Sequence, residues 1–161
     1  MVLLDLEQRD ECPGVWASAL KEELERASTV GCPIDVVIKV RMYENWLVAD
    51  PHGINAHTRL FQLSAAQIRS IEPNTADHVR DPVALLKAAK RSHESYDKVR
   101  DAIRLVKVVN PMTIAQNSRS FRRFLRVLQI PPYTLQSRNP AATPGRAHVA
   151  GSVRTTARRR R

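Results

Sequence analysis

Two apolar segments on either side of one amphipathic helix constrain the fold of this chain most strongly. Residues 34–40 are rich in β-branched side chains and predict a strand, and residues 2–6 predict a second, short strand. Residues 14–28 lie between them and place large apolar side chains at i, i+4 spacing on one helical face. This order predicts a βαβ unit, in which the two strands are parallel and the crossover is right-handed.

Short helices are predicted after this unit. They cover residues 42–50, 65–70 and 95–109, with a further turn or helix opened by Pro111. Asp81 and Pro82 are predicted to cap and begin a helix through about 91, and either Ser118 or Ser120 is predicted to cap a last helix through about 129. The segment 51–53, Pro-His-Gly, is expected to break the first of them. The predicted fold class is therefore α/β, a partial parallel sheet with flanking helices followed by a helical C-terminal part.

The net charge of +10 is spread unevenly along the 161 residues. Residues 131–161 hold seven arginines and no acidic residue, whereas residues 1–130 hold 19 basic and 16 acidic groups. Proline, small and polar residues also dominate the end of the chain, so we predict a domain over 1–130 and a disordered, arginine-rich tail over 131–161. That tail is either a polyanion-binding segment without sequence preference or simply a flexible end.

Several classes of protein are disfavoured by composition. No apolar run approaches the ~20 residues of a membrane span, and the first residues lack the pattern of a secretory signal. We therefore expect no membrane partner. The two cysteines provide neither a disulfide framework nor metal-ligand spacing, which indicates free thiols in a cytoplasmic protein. There is no glycine-rich phosphate loop, so ATP would have to be bound by a partner.

Acidic residues follow both predicted strands. Asp5 and Glu7 stand at the end of the first strand, where i and i+2 side chains share a face, and Glu44 follows the second. Because ligands bind at the carboxyl edge of open parallel sheets, these carboxylates predict a Mg²⁺ (or Mn²⁺) site, with Asp50 as a further ligand. The alternative is that they are ordinary surface acids.

The predicted last helix carries arginines on the side opposite its apolar stripe. They follow i, i+3, i+4, i+7 spacing: Arg119, Arg122, Arg123 and Arg126. A basic ridge of this kind either contacts the phosphates of DNA or RNA or is a plain solvated helix face. Similarly, Lys98 is either a phosphate contact or a solvated lysine, and Trp46 is predicted to anchor its helix in the core.

An ordered series of motifs runs through residues 2–130. Its members are Leu3-Leu4-Asp5-Leu6-Glu7, Glu11-Cys12-Pro13, Val36-Val37-Ile38, Tyr43-Glu44-Asn45-Trp46-Leu47-Val48-Ala49-Asp50, Tyr96-Asp97-Lys98 and Ser118-Arg119-Ser120-Phe121-Arg122-Arg123-Phe124-Leu125. The series resembles a bacterial Toprim-like family of unassigned function, often encoded beside an ATPase in mobile or phage-defence loci. That family is related to the nuclease domain of overcoming-lysogenization-defect proteins.

The resemblance implies metal-dependent phosphodiester chemistry. Asp5 and Glu7 match the family's acidic pair, Glu44 and Asp50 match its acidic-tryptophan segment, and Lys98 matches a basic position near the site. On this basis Glu44 and Lys98 are the predicted catalytic residues. The metal ligands are Asp5, Glu7, Glu44 and Asp50, and the partners are a nucleic acid and an ATPase.

One expected element has no counterpart here, the early glutamate that Toprim domains carry ahead of the position of Asp5. The resemblance therefore implies the C-terminal portion of such a nuclease, from a truncated, split or degenerate reading frame, with catalysis by the chain alone in doubt. The alternatives are a non-catalytic module that binds nucleic acid or protein, and a remnant without an independent fold.

Overall fold

A βαβ unit opens the fold. In the computed structural model, β1 (Val2–Asp5) pairs in parallel with β2 (Val36–Lys39), and α1 (Pro13–Ala27) connects the two strands. The register places Val2 opposite Val36 and Asp5 opposite Lys39. The predicted parallel pair is therefore confirmed, and the fold is α/β with flanking helices. The structure describes residues 1–7, 9–56, 59–92 and 94–130, so the predicted tail over 131–161 lies outside the described residues.

Short helices follow β2. They are α2 (Glu44–Val48), α3 (Pro51–Ala56), α4 (Ala65–Arg69), a 3₁₀ turn (Ala76–His78), α5 (Pro82–Ala89), α6 (Arg100–Val106), α7 (Pro111–Asn117) and α8 (Arg119–Leu128). Proline occupies the first turn of α1, α5 and α7, where its missing N–H is not needed. None of the helices in the described ranges is both long and apolar enough to cross a bilayer.

The predicted break of the first helix is confirmed, because α2 ends at Val48, but Pro51 also begins α3, which was not predicted. Asp50 caps this new helix by accepting the Gly53 N–H. One helix prediction is wrong in its bounds. The helix predicted over 95–109 is limited to α6. Its start is delayed because the Asp97 side chain accepts the N–H groups of Val99 and Arg100 in a turn before the helix.

Three apolar clusters stabilise these elements. The first joins the sheet to α1 and includes Ala17, Val36 and Ile38. A second lies among α2, α5 and α6, and a third joins α2 to α7 and α8. Trp46 belongs to the third cluster and packs edge-on against Phe121 with ring centroids 5.0 Å apart, so its predicted core position is confirmed.

Candidate functional site

An ion pair stands at the carboxyl rim of the sheet. The Lys39 Nζ, at the end of β2, lies 2.7 Å from Oδ1 of Asp5, at the end of β1. The same Nζ lies 5.2 Å from the centroid of the Tyr43 ring and 5.7 Å from that of Trp46, within the range of a cation–π interaction. The positive charge beside Asp5 is thus supplied by a lysine that is itself held by two aromatic rings.

Glu7 is exposed and leaves the line of the strand. Its backbone φ of 54° is left-handed, and its N–H donates to the carbonyl of Arg41, which also has a positive φ. The prediction that Asp5 and Glu7 share a face assumed strand alternation through residue 7. That assumption is wrong because the strand ends at Asp5 and the chain turns at Glu7.

Glu44 is the first residue of α2 and only 6% of it is exposed. No hydrogen bond or ion pair to its carboxylate is found within the described ranges. An acidic group in the first turn is favoured by the helix dipole. The carboxylate is therefore tolerated where it stands without being committed to another side chain of the described residues.

Two tyrosines surround this carboxylate. Burial, and after it the charge of Glu44, raise the pKa of Tyr43 and that of Tyr96. The Tyr96 hydroxyl is buried and has no hydrogen-bond partner in the part of the chain described. The Tyr96 hydroxyl is thus a buried polar group without a partner in the described residues, and the charge of Glu44 acts on it.

Asp50 has a structural role that its sequence position did not reveal. Its Oδ1 accepts the Gly53 N–H at 3.0 Å, and its Oδ2 accepts the Asn110 N–H at 2.7 Å. The carboxylate thus caps α3 and ties it to the residue before α7. A Cβ at Gly53 would lie 2.3 Å from Oδ2, so the close approach requires glycine. We therefore correct its assignment as a metal ligand.

The predicted carboxylates meet only part of what a divalent cation requires from a protein site. Among the residues that the structure describes, no three His, Cys, Asp or Glu side chains are grouped to hold a metal. Mg²⁺ is often held by only one or two carboxylates, with water and substrate phosphates as the remaining ligands. Asp5 and Glu44 are the carboxylates that stay candidates, since Asp5 ends β1 at the rim and Glu44 begins the helix that follows β2.

Lys98 lies apart from the ion pair, in a shallow groove beside α6. The groove has a volume of about 430 Å³, and its other lining residues are Tyr43, Val99, Ala102, Ile103, Val106 and Lys107. Its walls are mainly apolar. Lys98 is exposed there, and its predicted phosphate contact stays a prediction.

The predicted arginine ridge on α8 is corrected at one position. Arg122 is buried, with 4% of it exposed, and its guanidinium donates to the carbonyls of Ala115 and Gln116 and to Oδ1 of Asn74. Burial lowers its pKa, and the charge of Asp77 opposes this effect. Arg122 therefore caps the C-terminal end of α7 through these carbonyls, and it is not part of an exposed phosphate-binding face.

The other three arginines of the ridge are exposed. Arg119, Arg123 and Arg126 follow i, i+4, i+7 spacing along α8 and share its outer side. The helix is held in place by Ser118, whose Oγ accepts the Phe121 N–H. These three side chains form a short basic face that stays a candidate contact for a polyanion.

A buried polar network was not foreseen from the sequence. Asp77 accepts hydrogen bonds from the hydroxyls of Ser118 and Ser120 and from the Ser120 N–H, and Ser120 Oγ accepts the Trp46 indole N–H at 2.7 Å. The two serines were recognisable as helix caps, but the distant aspartate was not. The network connects α2, the 3₁₀ turn and α8.

Comparisons with known proteins give one family. No curated protein and no solved structure matches the chain. A family model described as domain of unknown function DUF4276 matches residues 1–129. Because this match covers well over half of the sequence, the chain belongs to the DUF4276 family.

Proposed function

We propose that this chain contributes the acidic rim of a Toprim-like, Mg²⁺- or Mn²⁺-dependent nuclease that acts with an ATPase partner in the cytoplasm, in phage defence or on a mobile element. The observation that carries the proposal is the placement of two acids after the parallel strands. Asp5 ends β1 and pairs with Lys39, and Glu44, which has no hydrogen-bond or ion-pair partner in the described residues, begins the helix that follows β2. In open α/β sheets, ligands bind at this edge.

Asp5 and Glu44 are the residues that would hold the ion in this proposal, and Glu7 is left out because the chain turns there. When bound, the ion would supply neutralisation of phosphate charge and an activated water. Lys39 would orient Asp5, since its ammonium lies 2.7 Å from the carboxylate and is fixed over two rings. Asp50 is left out because its oxygens cap backbone N–H groups, and Lys98 is left out because it lines the apolar groove.

The ATPase partner rests on the family resemblance and on chain composition. A glycine-rich phosphate loop is lacking in the sequence, so the energy-coupling step would belong to another protein. In this proposal the chain supplies phosphodiester chemistry and the partner supplies nucleotide hydrolysis.

Cleavage of labelled DNA and RNA tests the proposal. The full chain is assayed with Mg²⁺ and with Mn²⁺, alone and with a candidate ATPase and ATP. We expect metal-dependent cleavage that Asp5→Asn and Glu44→Gln each reduce by at least about 100-fold, the size of a lost general-base or charge-stabilising group. Asp35→Asn and Glu23→Gln are the matched controls, since both side chains are exposed and away from this rim.

Cleavage that survives both rim substitutions at full rate would refute the assignment. Calorimetric titration with Mg²⁺ or Mn²⁺ shows whether the rim carboxylates bind the metal. Loss of the heat of metal binding in Asp5→Asn but not in Asp35→Asn supports ligation at the rim, whereas equal heats of binding in both variants contradict it.

A non-catalytic nucleic-acid-binding module is the second candidate function. It is favoured by the basic outer face of α8, Arg119, Arg123 and Arg126. It predicts metal-independent binding that falls steeply with salt and that Arg119→Gln/Arg123→Gln weakens. Binding with these properties, together with no cleavage under any of the conditions above, would favour this function over the nuclease.

A further inference from the structure

The helix α6 carries apolar side chains both on the side that packs into the core and on the side that faces solvent. Its inner side is buried through Asp101, Ala102 and Leu105. Its outer side exposes Val99, Ile103 and Val106 at 71%, 55% and 49%, which are high values for aliphatic side chains. Three such residues at i, i+4, i+7 spacing form a continuous stripe, whereas scattered exposed aliphatic residues need no explanation.

This stripe forms one wall of the groove described above. Tyr43, which precedes α2, and the buried Ala102 also line it. A depression of about 430 Å³ along an exposed aliphatic helix side is a surface into which a partner helix can insert apolar anchors.

Charge defines the chemistry of the occupant. Lys98 precedes α6 and Lys107 follows it, so the two ammonium groups flank the stripe at opposite ends. Neither lysine makes an ion pair with any residue in the described ranges, whereas the neighbouring Arg100 and Arg104 are paired with Glu94 and Asp101. The groove is therefore apolar in the middle and cationic at its ends.

We propose that this groove binds an amphipathic helix of a partner protein that carries aliphatic anchors at i, i+3 or i+4, and i+7 and acidic residues at both flanks. The chain's own residues 131–161 are a poor match, because they hold seven arginines and no acid. A nucleic acid is a poor match as well, because the walls are aliphatic and only Tyr43 offers a ring for base stacking. The proposal is independent of the nuclease proposal, and the two share only Tyr43, which none of the substitutions below changes.

Binding of synthetic peptides to the full chain tests the inference by fluorescence anisotropy. The probe is a labelled peptide of about 18 residues with leucine anchors and glutamate flanks, long enough to form a helix. The control peptides have lysine flanks, or serine in place of the anchors. We expect the acidic peptide to bind at least about tenfold more tightly than either control.

Substitutions in the groove complete the test. The double substitution Ile103→Ser/Val106→Ser should lower the affinity for the acidic peptide about tenfold. The double substitution Lys98→Glu/Lys107→Glu should make the chain bind the lysine-flanked peptide more tightly than the acidic one. Val15→Ser is the control, because that valine is equally exposed on α1. Unchanged affinity in the Ile103→Ser/Val106→Ser variant would overturn the proposal. So would a concentration-dependent dimer of the chain that this variant abolishes, since a second copy would then occupy the groove.

Discussion

The buried acidic residues of this protein fall into two kinds. Asp50, Asp77 and Asp101 are as buried as Glu44 or more so, and all three accept several hydrogen bonds. Glu44 accepts none from the described residues, and its charge helps to raise the pKa of Tyr96, whose hydroxyl has no partner in those residues. The first kind connects distant segments of the fold, while the second leaves an acid available for chemistry.

This difference separates structural from functional carboxylates better than burial alone. Removing a partner from a satisfied buried charge should cost stability, because the remaining charge is left uncompensated. Neutralising an unsatisfied buried charge should cost little or even stabilise the fold. The predictions below apply this contrast, beginning with the largest expected effect.

The Lys90–Asp101 pair should show the strongest effect. The Lys90 Nζ lies 2.6 Å from Asp101 Oδ2, with side-chain exposures of 2% and 0%. Lys90→Met removes this partner and should lower the free energy of unfolding by about 3–5 kcal/mol. Urea denaturation followed by circular dichroism measures the change.

An exposed ion pair provides the control for that measurement. Lys21 and Glu25 lie 3.6 Å apart on the surface of α1, so Lys21→Met should change the unfolding free energy by less than about 0.5 kcal/mol. Equal costs at Lys90 and Lys21 would contradict the structural role of the buried pair.

Two adjacent arginines on α8 should differ in the same way. Arg122→Met removes the donor to the Ala115 carbonyl and to Asn74 Oδ1 and should cost about 2–3 kcal/mol of stability. Arg123→Met, one position along and exposed, should cost less than about 0.5 kcal/mol. Thermal and urea unfolding compare the stabilities of the two variants. If the α8 face contacts phosphates, Arg123→Met should weaken DNA binding at low salt more than Arg122→Met does.

Much of the architecture was predictable from local pattern. β-branched runs around an amphipathic helix identified the βαβ unit, and Asp81-Pro82 and Ser118 identified the starts of α5 and α8 because capping chemistry acts within a few residues. These predictions are confirmed because each depends on neighbours in the chain.

The roles of Asp50 and Arg122 were not predictable for the opposite reason. A hydrogen bond from the Asn110 N–H, 60 positions away, gives Asp50 its capping role. Arg122 lies on the side of α8 that faces the end of α7 and Asn74, and helical spacing alone does not tell which side is buried. Residue type and spacing showed that charged groups were present, but only the tertiary contacts showed how they are used.

The dependence of the unfolding free energy on acidic pH should reveal the contribution of Asp101. Burial raises the pKa of Asp101, but the Asp97 N–H and Lys90 outweigh it, and the pKa lies below the usual 3.8. A lowered folded-state pKa adds stability above the pKa of the unfolded chain, and this stability is lost as the pH falls through the folded-state value. The unfolding free energy should therefore decline below about pH 4, less steeply in Asp101→Asn. Urea titrations from neutral to acidic pH measure both slopes, and parallel slopes would contradict this account.

The smallest expected change in stability, and the most informative, concerns Glu44. Glu44→Gln keeps the shape of the side chain but removes a charge that has no partner in the described residues, so the unfolding free energy should stay unchanged or rise by at most about 1 kcal/mol. Asp77→Asn is the matched comparison and should destabilise, because its carboxylate accepts three hydrogen bonds. A fold that tolerates the loss of Glu44 does not need this carboxylate for its own stability. A large loss of stability in Glu44→Gln would instead assign Glu44 to the structural kind and remove the main support for the nuclease site.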